Sequence, residues 1–165
     1  VDVATLYAAH APGLHRFLVR FTGDPDLAAD ALQEAFVRLM DRRPEARELR
    51  AWLYTVALNH VRTRHRTRAR QLRLLATAPA GAAYGDAPPD PTARVLGRER
   101  HARVQDALLT LSARDRTVLL MREAGFAQHE IADAVGTTTK SVGTITARAL
   151  AKLARALGPL LEELR

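Results

Sequence analysis

The chain has no cysteine, which excludes a disulfide framework and thiolate metal sites and suits a reducing compartment. Aromatic residues make up only 5% of it, and β-branched runs are nearly absent, so a sheet has little to form from. No stretch approaches the ~18 consecutive apolar residues of a membrane span. The N-terminal "VDVATLYAAH" lacks the charged-then-apolar order of a secretory signal. These absences predict a soluble, cytoplasmic, helical protein with no membrane association. Catalytic constellations are missing as well. The six histidines, His10, His15, His60, His65, His101 and His129, show no His-Glu-x-x-His spacing, and neither a phosphate-cradling glycine loop nor a nucleophile arrangement is legible. No catalytic residue, metal or cofactor is therefore assigned.

What is abundant is alanine, leucine and arginine. At 165 residues and 47% hydrophobic, the chain can build one ordinary core or two small ones. Lysine and arginine number 25 against 18 acids, a formal charge of +7, which favours a polyanionic partner. Local propensity favours helix almost throughout. The exception is "ATAPAGAAYGDAPPDPTA", Ala76 to Ala93, where four prolines and two glycines stand among small residues and apolar periodicity is lost. The expected fold is all-α: two small helical bundles, residues 1–75 and 94–165, joined by a proline-rich linker, 76–93.

The first unit reads as three or four helices. Leu14, Phe17, Leu18 and Phe21 recur at helical spacing, with Pro12 either kinking that helix or opening its second part and Gly23 ending it. Asp24 is a plausible N-cap with Pro25 at the first helical position. The following helix groups Leu27, Ala28, Ala31, Leu32, Ala35, Phe36, Leu39 and Met40 on a core face. Its other side carries Asp30, Gln33, Glu34 and Arg38, a solvated surface or a docking face. The turn-like Asp41 to Glu48 leads to a helix with Leu53, Val56, Ala57 and Val61 at helical intervals. It runs on into "VRTRHRTRAR". The alternation there has no apolar face for a strand. As a helix it gathers Arg62, Arg66, Arg70 and Arg73 within roughly a quarter of the circumference at ~100° per residue, with Arg64 and Arg68 opposite. Such a stripe is a self-repelling helix end or a phosphate grip. Asn59, about one turn before it, offers a base-reading amide, and Trp52 is a stacking surface or a core residue.

In the second unit, Ser112 stands at an N-cap position with Asp115 three residues on, a capping-box variant, and Gly125 ends that helix. "QHEIADAVGTTTKSVGTI" then has the spacing of a helix-turn-helix. Ile131, Ala132 and Val135 precede Gly136 in the turn, and Val142 and Ile145 anchor the second helix. That helix would present Thr138, Thr139, Lys140, Ser141, Thr144 and, further along, Arg148 to the major groove.

Together these motifs resemble a bacterial RNA polymerase sigma factor of the extracytoplasmic function type, over nearly the whole chain. "DLAADALQEAFVRL" resembles region 2.2, which implies that Asp30, Gln33, Glu34 and Arg38 dock on the β′ clamp helices of core RNA polymerase. "LRAWLYTVALNHVR" is similar to regions 2.3 and 2.4. The resemblance implies that this helix and the Asp41–Glu48 loop hold the non-template strand of the −10 promoter element with a base flipped out, through Trp52, Asn59, Arg62, Arg64, Arg66 and Arg70. "LTLSARDRTVLLMREAGFAQHEIADAVG" looks like region 4, which reads the −35 element, here through Thr138, Thr139, Lys140, Ser141, Thr144 and Arg148, and touches the β flap. Where relatives commonly read Thr-Val-Lys-Ser-Arg, this chain reads Ser141-Val142-Gly143-Thr144-Ile145, so two cations are absent. The linker would pass through the polymerase near its active centre. An anti-sigma factor is a common partner in such a family. The rival readings are a stand-alone helix-turn-helix regulator of duplex DNA, which leaves the arginine stripe idle, and an enzyme, for which no site is legible.

Overall fold

Gly23 and Asp24 make the first sharp boundary in the chain. Gly23 takes a left-handed φ of 68° and closes its N–H on the Val19 carbonyl at 2.9 Å, a conformation that side chains disfavour. Asp24 then accepts from the N–H groups of Asp26 and Leu27 at 2.9 and 3.1 Å, with Pro25 opening the next helix. Local chemistry thus stops one helix and starts another within three residues.

The computed structural model of the chain describes residues 2–42, 44–45, 47–76 and 95–162. Most of the linker expected at 76–93 lies outside them. Among the described residues the regular structure is entirely helical. The first half consists of α1 (Val3–Thr22), α2 (Pro25–Asp41) and α3 (Leu49–Ala76). The second consists of α4 (Val95–Thr110), α5 (Ala113–Glu123), α6 (Gln128–Val135) and α7 (Thr139–Glu162). Pro12 lies inside the uninterrupted α1. The all-α expectation holds, with three helices in the first half.

In the first half, Leu14 and Leu18 of α1 meet Ala28, Ala31 and Ala35 of α2 and Leu53, Leu58 and Val61 of α3, all fully buried or nearly so. In the second, Val118 and Met121 of α5, Ile131 of α6 and Val142 of α7 form the interior. The two interiors are continuous. The two bundles pack against each other so that the halves share one core, joined at the ends of helices, an arrangement on which the sequence is silent.

Several contacts make that junction. Arg116 of α5 donates to the carbonyls of Leu108, Leu109 and Leu111, at the end of α4, and to Phe21 near the end of α1. One guanidinium thereby serves two helix C-termini, whose last carbonyls lack intrahelical donors and carry partial negative charge. Phe126, in the α5–α6 turn, sits between the guanidinium of Arg50, 4.2 Å from its ring centre, and the ring of Tyr54 at 4.7 Å. Leu109 rests on Gly23, where an added Cβ would meet it at 2.9 Å, a second reason for glycine there. Arg20 and Glu123 pair at 2.5 Å on the surface, and such exposed pairs contribute little, about 0–1 kcal/mol.

Two sequence-level expectations need correction. Met40, assigned to the core face of α2, is 60% exposed; it lies on the helix's last turn, past the neighbours that cover Phe36 and Leu39. Asp115 does not complete a reciprocal box with Ser112. The Ser112 hydroxyl caps the Asp115 N–H at 3.1 Å, but the Asp115 carboxylate, 8% exposed, is held by Lys152 of α7 at 2.6 Å. That pair fastens the long last helix to the start of α5.

Candidate nucleic-acid interface

The long α3 has two faces of different use. Trp52, Asn59, Arg66 and Arg73 follow one another at intervals of seven, about 10 Å apart along the axis, and so lie on one line that drifts only ~20° per step. Trp52 is half-buried and packs on the core, one of the two uses expected for it, with part of its ring left in reach of solvent. Asn59 is exposed, and its side-chain oxygen accepts from Arg62 at 3.3 Å. Arg66, Arg70 and Arg73 extend into solvent. This combination of aromatic edge, amide and cationic track suits an unstacked strand.

On the opposite side, His60 and Arg64 of α3 approach the Asp30 carboxylate of α2 at 3.3 and 3.5 Å. Arg64, expected on the nucleic-acid track, is thus turned toward α2. Asp30 and Gln33 line a cleft of about 1350 Å³ with Arg64 and Arg68. Glu34 and Arg38 pair with each other at 2.6 Å, one turn apart. The four residues expected to dock a partner therefore share an exposed side of α2, but Asp30 and Glu34 each already hold a cation. Val37 and Met40, 41% and 60% exposed, extend that side with apolar surface. The signal for them was their spacing of four and three from Gln33 and Val37.

Arg62 departs from the rest of its stripe. It is half-buried, and both terminal nitrogens donate to the carbonyl of Ala134 in α6 at 3.4 Å. Burial, together with the neighbouring charge of Arg66, lowers its pKa from the ordinary arginine value, although a guanidinium stays protonated.

The helix-turn-helix has the expected geometry. Gly136 ends α6 with φ 65°, and Thr137 N–H returns to the Ala132 carbonyl at 2.9 Å. Val142 is fully buried beneath α7 and Ile145 partly so. At the start of α7 the hydroxyls of Thr138 and Ser141 bond at 2.8 Å, and the Ser141 N–H reaches Thr138 at 3.3 Å. The Thr138 hydroxyl, which accepts the Ser141 N–H, caps the helix, and the Ser141 hydroxyl braces it. Thr139 stands beside them, only partly covered. Lys140, Thr144 and Arg148, four residues apart, form an exposed stripe. Gly143 faces open space, with nothing within 4 Å of an added Cβ. Sequence reasoning missed Arg50, Arg114 and Arg116, whose surroundings depend on the meeting of the halves.

Comparison with known proteins matches the chain in two segments. Residues 6–71 match the family described as Sigma-70 region 2, and residues 101–153 match Sigma-70, region 4. The chain is 34% identical over 165 residues to the ECF RNA polymerase sigma factor SigL of Mycobacterium tuberculosis, covering 96% of this chain and 88% of that one. Among solved structures, the sigma factor RpoE in complex with the anti-sigma factor NepR, from Bartonella quintana, aligns with TM-score 0.71 at 21% identity, covering 94% of this chain and 96% of that one. CnrH in complex with the cytosolic domain of CnrY aligns with TM-score 0.61 at 26% identity, covering 95% and 88%.

Proposed function

We infer how this protein works from the family to which it belongs, the extracytoplasmic function sigma factors of RNA polymerase. As a member, it is an initiation factor that binds core polymerase and directs it to promoters, and it is not itself an enzyme. The finer assignment is our proposal. Residues 1–75 act as region 2, 76–93 as the connector and 94–165 as region 4. The exposed side of α2, with Asp30, Gln33, Glu34 and Arg38, docks on the β′ clamp helices. The side of α3 that carries Trp52, Asn59, Arg62, Arg66 and Arg70 takes the opened −10 strand. Lys140, Thr144 and Arg148 of α7, with Thr138, Thr139 and Ser141 at its start, read the −35 duplex, and this half also meets the β flap. Such a protein works in the cytoplasm; no helix among the described residues is long and apolar enough to cross a membrane.

The single observation that carries this reading is the presence in one chain of an arginine-edged helix face and a helix-turn-helix. A stand-alone duplex binder has no use for the first. Neither reader has to bind strongly alone, because joining both through the polymerase raises the effective concentration of the second.

The position of Arg62 adds a step. Its donation to Ala134 ties the −10 reader to the −35 reader, so engagement of a promoter requires the halves to part. The packed form is then the one that an anti-sigma factor would hold.

Transcription in vitro with core polymerase, this protein and a library of random promoter fragments tests the reading. Protein-dependent starts sharing two spaced motifs are expected. Retention of duplex fragments without polymerase, and no such starts, would support the stand-alone regulator instead.

A further inference from the structure

The junction between the halves contains a cleft of about 700 Å³ whose charge is of one sign. From α3 it is lined by Arg62, His65 and Arg66, and from α5 by Arg114 and Arg116; among the described residues no carboxylate lines it. Arg116 is occupied by four carbonyls and contributes charge, whereas Arg66 and Arg114 have no hydrogen-bond or ion-pair partner among the described residues. Burial lowers the pKa of Arg62 and of Arg116, the mark of cations removed from water without a counter-ion. The floor of the cleft is apolar, with Phe21, Val61 and Val135, which strengthens any charge interaction above it.

We propose that this cleft binds a small polyphosphate anion between Arg62 and Arg66 of α3 and Arg114 of α5, and that the bound anion clamps the halves together. Guanidinium forks match phosphate oxygens in pairs. The cleft falls within the roughly 300–1,000 Å³ of small-molecule sites. Because its two walls come from different halves, it exists only while they are packed, so a ligand there stabilises the packed form increasingly as it fills. It also occupies Arg62 and Arg66, and so opposes capture of a promoter strand. Binding depends only on the packed junction; the effect on promoters rests in addition on the function proposed above.

The test is a calorimetric titration of the full-length protein, without polymerase, with inorganic tripolyphosphate, the ionic strength being held constant with chloride. It is repeated with Arg114→Gln and with Arg68→Gln, both exposed positions that leave the core intact. Arg68 belongs to the same arginine-rich helix as Arg66 but lies outside this cleft. One saturable site is expected, weakened at least tenfold by Arg114→Gln and less than twofold by Arg68→Gln. Absence of saturable binding, or equal weakening by both substitutions, overturns the proposal; equal weakening would mean that the anion merely condenses on the protein's cationic surface. With no polymerase present, either result is independent of the sigma factor assignment, which the transcription experiment decides.

Discussion

Both terminal nitrogens of Arg62 lie 3.4 Å from the carbonyl oxygen of Ala134, so the residue at the head of the arginine stripe grips the first helix of the helix-turn-helix. A side chain that serves one half against the other is withdrawn from nucleic acid for as long as it does so. If Arg62 takes the −10 strand as proposed, promoter capture and domain packing are alternatives at this position.

Replacing Arg62 and Arg66 together by alanine is expected to reduce promoter opening while leaving affinity for core polymerase unchanged. For each single-strand phosphate that the variant no longer neutralises, the salt dependence should become shallower by about 0.7 in log–log slope. Opening is read from a fluorescent base placed in the −10 element, and core affinity from a separate titration. A fall in core affinity would reassign this face of α3 to polymerase docking.

Phe126→Ala should loosen the junction. Its ring is 7% exposed and lies between Arg50 and Tyr54 of the other half; truncating a buried phenylalanine costs about 3–5 kcal/mol. Small-angle scattering is expected to show a larger radius of gyration with helical circular dichroism unchanged. An unchanged radius would mean that Phe126 matters only within its own half.

Gly143→Ala is expected to stabilise the protein by about 0.5–1 kcal/mol, since a glycine inside a helix loses more backbone freedom than alanine and the added Cβ meets only open space. Urea denaturation measures this. Gly143→Arg at the same open position should in addition tighten binding to −35 duplex, in a salt-dependent way.

Alkaline stability should depend on Tyr54. Burial raises its pKa above the ordinary tyrosine value, against a smaller opposing effect of Arg50. The unfolded chain therefore ionises first as pH rises past about 10, so the contribution of Tyr54 is present below that pH and lost as pH climbs through the folded value. Tyr54→Phe should lessen the loss of stability between about pH 8 and pH 11, a window that brackets the unfolded value, measured by denaturant midpoints. An equal loss in both proteins would assign the alkaline sensitivity to other groups.

Much of this molecule was legible because its signals are local. Asp24 with Pro25, Gly23, Ser112 and Gly136 act within a few residues of themselves, and the buried faces of α1 and α3 follow from a helical period of about 3.6 residues. What escaped depends on partners distant in the chain. Periodicity put Met40 on the apolar side of α2 but cannot tell where along a helix its cover ends. Asp115 had a local reading as half of a capping box, and a lysine 37 residues away took its carboxylate instead. Arg116 gives no sign in the sequence that it serves the end of a helix 95 residues earlier. Guanidinium-to-carbonyl bonds carry no residue code on the acceptor side, so the junction was invisible until the halves were seen together.

The continuous core has a consequence for the working life of the molecule. If initiation requires the halves to part, each round leaves the rings of Tyr54 and Phe126 facing water, and release from polymerase lets them meet again. The return runs downhill on reburial of apolar surface and consumes no nucleotide. Its spring is wound by the polymerase and the promoter, whose binding holds the chain open, so the duration of activity is set by how long they keep hold of it.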